Sequence, residues 1–235
     1  MKPILFFLFA LIAINSKAQT VINDKNVQVR NVSEFSAIKV SGGIDVYLSQ
    51  SDEDAVAVSA SDEEDRDNIK TEVSRGVLNI YYDDHSFKFI RNRQLRAYVS
   101  FRKLESIQGS GASDFIINEK LSGNSVKIQL SGASDMKGEV DLSNAEVDLN
   151  GASTMKISGK IENLKIEASG ASDLKNYDLM VDNCIAQLSG ASDVKITVNK
   201  SISAKASGAS NLDFKGNAER RDVSSSGASN ISHRD

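Results

Sequence analysis

One tripeptide constrains this chain more than any other feature. Gly-Ala-Ser recurs seven times, with its glycines at Gly111, Gly132, Gly151, Gly170, Gly190, Gly208 and Gly227. The spacings are 21, 19, 19, 20, 18 and 19 residues. A repeat of that length is one supersecondary unit of a stacked array, because a single unit cannot bury its apolar face alone. Aligning on the glycine gives columns. Two positions before it stand Leu130, Leu149, Ala168, Leu188 and Ala206; four before, Ile128, Val147, Ile166, Ala186, Ala204 and Val223; six before, Val126, Ala145, Leu164, Cys184 and Ile202. Polar residues fill the gaps, such as Lys127 and Gln129, or Glu146 and Asp148. This period-2 alternation marks a strand with one face buried.

After the glycine the period breaks. The next residue is Ala in every copy, and four positions on come Phe115, Met136, Met155, Leu174, Val194, Leu212 and Ile231. This spacing fits a corner at which a second strand begins, with glycine tolerating the bend. The alanine is expected to point inward, as the largest side chain that a narrowed corner admits. Two or three short strands per turn, stacked in register about 4.8 Å apart, make a single-stranded parallel β-helix of about 19–20 residues per repeat. Helical repeats would need apolar residues at i, i+3, i+4 and i+7, and these do not occur.

The first part of the chain is less regular. Residues 27–101 carry longer alternating runs, at Ile38 to Leu48, Ala55 to Ala60, Val77 to Tyr82 and Leu95 to Phe101. Ser61 to Val73 is acidic and predicts a short helix after an Asp62 cap. Residues 19–108 thus read as wider first turns and a cap, and residues 109–235 as the repeat helix; a separate sandwich domain at the N-terminal end is also compatible with the strand signals. Residues 1–18 read as a signal peptide: Lys2, an apolar run from Ile4 to Ile14, and small residues at Ser16 and Ala18. The absence of a Cys after that site argues against a lipoprotein anchor. No later segment has the length and apolarity of a transmembrane helix. Removing Lys2 and Lys17 takes the formal charge from -4 to -6, which disfavours nucleic acid as a partner. The single Cys184 cannot close an intramolecular disulfide, and the single proline, Pro3, falls within the signal.

The segment Phe35-Ser-Ala-Ile38-Lys-Val40-Ser-Gly42-Gly43-Ile44-Asp45-Val46-Tyr-Leu48 resembles the opening of the bacterial family described as "putative auto-transporter adhesin, head GIN domain". Gly76-Val77-Leu78-Asn79-Ile80 and the repeated Ser-Gly-Ala-Ser-Asp corners follow in the same order. The resemblance implies a right-handed β-helix exported by Gram-negative bacteria. It brings no catalytic or binding residue with it, and fold analogy cannot supply a function.

Candidate chemistry lies in the columns beyond the corner. Three positions after the glycine stand Asp114, Asp135, Asp173 and Asp193, interrupted by Thr154 and ending in Asn211 and Asn230. Two further on stand Lys137, Lys156, Lys175 and Lys195, then Asp213. Residues two apart on a strand share a face, so carboxylates should line up beside ammonium groups. The functional reading is a glycan-binding strip or a calcium ladder; the structural reading is a solvated, self-neutralising ladder, and the lysines favour the latter. The corner serines could touch sugar hydroxyls, though hydroxyls at such corners more often bond to the backbone. Lys88, Arg91 and Arg93 make a basic, partly apolar loop suited to an anionic surface. Cys184 sits in an apolar column and reads as a small buried hydrophobe. His85 and His233 have no Cys/His or Ser/His constellation around them.

These readings lead to an exported, non-enzymatic envelope or surface protein, adhesin-like, holding a glycan or protein partner along a solenoid face without a cofactor. Its place is periplasm, outer surface or medium. A self-assembling structural module is the alternative, since the last repeat, Ser226 to Asp235, shows no evident cap and an open ladder invites a homo-oligomer through the C-terminal end. A carbohydrate-active enzyme is the third reading.

Overall fold

The computed structural model describes residue 24, residues 26–83 and residues 93–235. The signal peptide, His85, Lys88 and Arg91 lie outside the described residues. In chain order the elements are β1 (Gln28–Arg30), β2 (Ala37–Ser41), β3 (Asp45–Gln50), β4 (Ala55–Ser59), α1 (Glu63–Asn68), β5 (Ile69–Ser74), β6 (Val77–Tyr82), β7 (Arg96–Phe101) and β8 (Ser106–Gly109). The repeats follow as β9 (Asp114–Leu130), β10 (Asp135–Leu149), β11 (Thr154–Ala168), β12 (Asp173–Leu188), β13 (Asp193–Ala206), β14 (Asn211–Lys215), β15 (Glu219–Ser225) and β16 (Asn230–His233). Together they form a parallel β-solenoid of about 7 turns.

In the repeats each turn is one long strand instead of the two or three short ones expected. The strands β9 to β13 run 17, 15, 15, 16 and 14 residues and break only at Gly-Ala-Ser. They bend without losing their ladder. In β10, Val140 and Leu142 point inward, then Ala145, Val147 and Leu149, so the alternation slips by one between Leu142 and Ala145. At that slip an asparagine stack runs along the turns. Asn163 Nδ2 donates to Asn144 Oδ1 at 3.2 Å, Asn183 Nδ2 to Asn163 Oδ1 at 3.0 Å, and Ser201 Oγ to Asn183 Oδ1 at 2.9 Å. The apolar columns stack in register inside: Val126, Ala145, Leu164, Cys184 and Ile202 form one continuous line. Each fully buried Leu or Ile contributes about 1.5–3 kcal/mol to folding.

The corner is built differently from the expectation. All seven alanines of Gly-Ala-Ser are exposed, while Ser113, Ser134, Ser153, Ser172, Ser192 and Ser210 are 0% exposed. The reason is the glycine, which takes the left-handed conformation, with φ between +71° and +80° at the seven positions. That torsion resets the alternation, throws alanine outward and brings serine in. Each inward hydroxyl donates to the carbonyl three residues back, as Ser153 Oγ to Asn150 O at 2.8 Å and Ser172 Oγ to Ser169 O at 2.6 Å. The alanine N–H donates to the glycine carbonyl of the turn before, Ala171 to Gly151 at 2.7 Å for example, which welds the corners into their own ladder.

The N-terminal end does not wind in chain order. β2 lies between β6 and β8, and β3 between β7 and β9, so the first turn is inserted between the second and third. Antiparallel strands finish this end: β5 on β6, β4 on β7, and β1 on β4. The expected helix is present, its Asp62 side chain accepting from the Asp65 N–H at 2.9 Å.

At the other end Phe214, 1% exposed, is the last large aromatic residue of the core. The His233 ring covers it at 5.2 Å and the Arg220 guanidinium at 5.9 Å, a cover that inspection of the last repeat alone does not reveal. β15 carries a bulge between its pairs to Ser203 and Ala204, where Asp222 takes φ +44°. Bulges and charges blunt an edge strand against further pairing.

Candidate functional site

The Gly-Ala-Ser corner divides two polar faces. On the far side, Asp114, Asp135, Thr154, Asp173, Asp193, Asn211 and Asn230 stand in one register, as the repeat implies. The column extends further than expected, because Asp45 and then Arg96 follow on the next two strands, β3 and β7. Three carboxylates, Asp45, Asp114 and Asp135, therefore follow in succession. Burial raises the Asp114 carboxyl above its ordinary value, and the charges of Asp45 and Asp135 add to that. Burial likewise raises Asp45, against the pull of Arg96 and Lys137. Among the described residues a single ion pair joins the Asp and Lys columns, Lys175 Nζ to Asp173 Oδ2 at 2.7 Å. Past Ile116 the lysine column continues into Tyr47 and Tyr98, whose rings stack with centroids 5.2 Å apart. Lys156 and Lys195 project from exposed or half-buried positions of the same column. No group of three or more His, Cys, Asp or Glu side chains among the described residues could hold a metal ion.

Arg93 belongs to neither face. Its Nε lies 3.7 Å from the Asp65 carboxylate and its guanidinium 4.8 Å from the centre of the Tyr82 ring, so it ties the entry of β7 to the cap helix.

On the near side of the corner the structure has a groove of about 750 Å³, running along the stack from Lys127 to Ser226. Residues one and three positions before each glycine form its sides. Self-neutralisation operates here. Lys127 Nζ reaches Glu146 at 3.0 Å and Asp148 at 3.5 Å; Lys165 Nζ reaches Glu167 at 2.8 Å and Glu146 at 3.7 Å. The hydrogen bond from Lys127, with that cation's charge and Lys165, holds the Glu146 carboxyl below its usual range. Further along, Gln187, Ser189 and Lys205 line the groove; Ile185, two residues before Gln187 in the same strand, is 53% exposed. Sequence reasoning passed over these positions as gap-fillers between apolar columns. The available signal was the change along the column three before the glycine: Gln129, Asp148, Glu167, Gln187, Lys205, Ser224.

The corner serines are sealed by their own backbone bonds and offer nothing to a ligand. The Cys184 thiol is pushed up to about 12 by burial, which leaves no thiolate for chemistry. No helix among the described residues is long and apolar enough to cross a membrane.

Solved structures share this architecture. A "putative adhesin" from Bacteroides fragilis superposes with a TM-score of 0.79 at 19% identity, covering 90% of this chain and 98% of that one. A "putative adhesin" from Parabacteroides distasonis gives 0.65 at 20% identity, covering 88% and 96%. A "putative lipid binding protein" from Parabacteroides distasonis gives 0.63 at 18% identity, covering 89% and 95%. At such identities the likeness shows the fold alone. No curated protein matches the sequence. The family model described as "putative auto-transporter adhesin, head GIN domain" matches residues 34–218, from the first core residues past the sixth Gly-Ala-Ser corner, and the chain belongs to that family.

Proposed function

We propose that this chain is a non-enzymatic, exported protein of the cell envelope or surface that holds a glycan or protein partner along one side of its solenoid. The observation that carries the reading is the groove of about 750 Å³, which follows several successive turns and is lined mostly by polar residues, among them Glu146, Glu167, Gln187 and Lys205. A binder of extended partners needs such a track; an enzyme needs a place where the track is interrupted by reactive groups. Glycoside hydrolysis asks for one carboxylic acid kept protonated beside a second carboxylate. In the groove Lys127 and Lys165 push Glu146 the opposite way. The two carboxyls whose affinity for the proton is raised, Asp45 and Asp114, are not among the groove's lining residues.

The test is retention of the mature chain, residues 19–235, on immobilised bacterial and host polysaccharides and on envelope-protein fractions, with each eluate assayed for cleaved sugar. Selective retention without cleavage is the expected result. Cleaved sugar overturns the non-enzymatic reading. No retention on any matrix moves the function to self-assembly.

A further inference from the structure

The groove is not uniform along its length. In its first half the polar groups satisfy one another: Lys127 with Glu146 and Asp148, Lys165 with Glu167, and Gln129 Nε2 with Asp148 at 3.0 Å. In its second half Gln187, Ser189, Lys205 and Ser224 line the walls, and their side chains make no hydrogen bond or ion pair among the described residues. No carboxylate lines that half, so Lys205 gives it a net positive charge. The column five before the glycine also changes character. It runs Ser106, Lys127, Glu146, Lys165, Ile185, Ser203 in register, and the one apolar member is 53% exposed. Ile185 lies two residues from Gln187 on the same strand face. In a repeat protein the interior demands the same thing of every turn. A departure confined to exposed positions of neighbouring turns therefore answers to something outside the chain.

Resting on the binding reading above, we infer that the stretch from Ile185 to Ser226 is a subsite for an acidic polysaccharide, centred on Lys205. The Lys205 ammonium takes the carboxylate or sulfate of an anionic sugar. The Gln187 amide and the Ser189 and Ser224 hydroxyls, which both donate and accept, take ring hydroxyls. Ile185 takes the C–H face of a sugar ring. Turns rise about 4.8 Å each, so equivalent groups recur at a period comparable to one sugar of an extended polymer. An added peptide strand does not fit, because the backbone here is already paired: Ser189 N donates to Ala168 O at 2.9 Å and Ser207 N to Leu188 O at 3.0 Å. A globular protein partner is disfavoured by the lack of an aromatic anchor in the groove lining.

The experiment is affinity electrophoresis of the mature chain through gels containing polygalacturonate, sulfated dextran or neutral dextran. The wild-type chain is expected to be retarded by a charged polymer and not by neutral dextran, with retardation falling as salt is added. Polygalacturonate and sulfated dextran distinguish a carboxylate from a sulfate partner. Lys205→Ala should weaken binding about tenfold, the loss of one charge-assisted hydrogen bond. Gln187→Ala should weaken it a few-fold. Lys160→Ala, an exposed cation outside the groove lining, should leave it unchanged, and thermal midpoints should show all three variants folded. Retardation by a charged polymer that Lys205→Ala and Gln187→Ala do not alter overturns the subsite while leaving the adhesin-like reading in place. Retardation by neutral dextran alone overturns the acidic class, and no retardation by any polymer overturns the inference altogether.

Discussion

The two ends of this solenoid are held together by different means. In the repeats every turn pairs with the next in chain order, and the same three devices recur, left-handed glycine, outward alanine and inward serine, joined in three turns by an asparagine at the far bend. At the N-terminal end the turn formed by β2 and β3 is slotted between two later turns, and antiparallel strands close the stack. There the devices are replaced by individual fits. Ile44 occupies the place of a corner serine, its N–H facing the Ser113 hydroxyl at 3.4 Å. Gly109 stands where later turns carry Leu130 and Leu149, and a Cβ on it would come within 2.4 Å of the Phe115 ring. The large Phe115 and the missing side chain at Gly109 are two parts of one packing solution. Regular turns are thus specified by repetition, irregular ones by pairwise compensation.

The sharpest way to break that comparison is through glycine. Gly170 and Gly76 have nearly the same torsion, φ +75° and +76°. A Cβ on Gly170 would lie 2.5 Å from the Gly151 carbonyl oxygen, whereas nothing stands within 4 Å of one on Gly76, in the hairpin between β5 and β6. Gly76→Ala meets only the left-handed strain, about 1–2 kcal/mol. Gly170→Ala adds displacement of a stacked backbone, about 1–3 kcal/mol more. For a chain of this size each kcal/mol moves the thermal midpoint by about 2–4 °C. The expected falls are about 4 °C for Gly76→Ala and about 10 °C for Gly170→Ala. Equal falls would mean that the corners are not load-sharing and that torsion alone selects glycine.

What the sequence made legible follows from the same contrast. Solenoid, period, inward columns, the burial of Cys184 and the stacking of Asp114 on Asp135 were all readable, because each is stated several times over in the chain. The inward serine was misassigned because Ala, the more apolar residue, looked like the core member. Only the glycine's torsion, which residue letters do not display, decides which of the two turns in. Asn144, Asn163 and Asn183 were legible in principle but fell outside the aligned columns. The order of β2, β6 and β8 was not legible, since it depends on contacts between segments that share no motif. The groove was hidden for another reason: it is the shape left between columns, and sequence reports columns only.

A smaller effect separates the two serine positions of the corner. Ser172 is fully buried and its hydroxyl serves the Ser169 carbonyl at 2.6 Å. Ser172→Ala should cost about 1 kcal/mol, a fall of about 3 °C in the midpoint. Ser189, on the outer side of its corner, should change stability by less than about 0.5 kcal/mol when replaced by alanine. Urea titration of both variants measures the difference. If Ser189→Ala proved the costlier, the assignment of the inward face would be wrong.

The smallest effect tests the seam between the two regions, where Asp45 of the irregular end meets Asp114 and Asp135 of the repeats. Burial raises the folded-state pKa of both Asp114 and Asp45; repulsion from Asp45 and Asp135 adds to it at Asp114, while Arg96 and Lys137 pull Asp45 the other way. Between the unfolded value, about 3.9, and the raised folded value, the native state binds more protons than the unfolded one. Stability therefore rises as pH falls through that window, and above it the ionised groups cost stability in full. Asp114→Asn removes one repelling charge, so its midpoint at pH 7 should exceed that of the wild-type chain by about 2 °C at most, because the carboxyl is only partly withdrawn from solvent and its charge is screened. The advantage should vanish below about pH 4, where the unfolded chain too is protonated. Asp173→Asn is the counter-case, since it breaks the 2.7 Å pair with Lys175 and should bring no gain at either pH. A gain at Asp173 equal to that at Asp114 would show that the whole column repels itself alike, and that the seam is electrostatically no different from the turns that follow it.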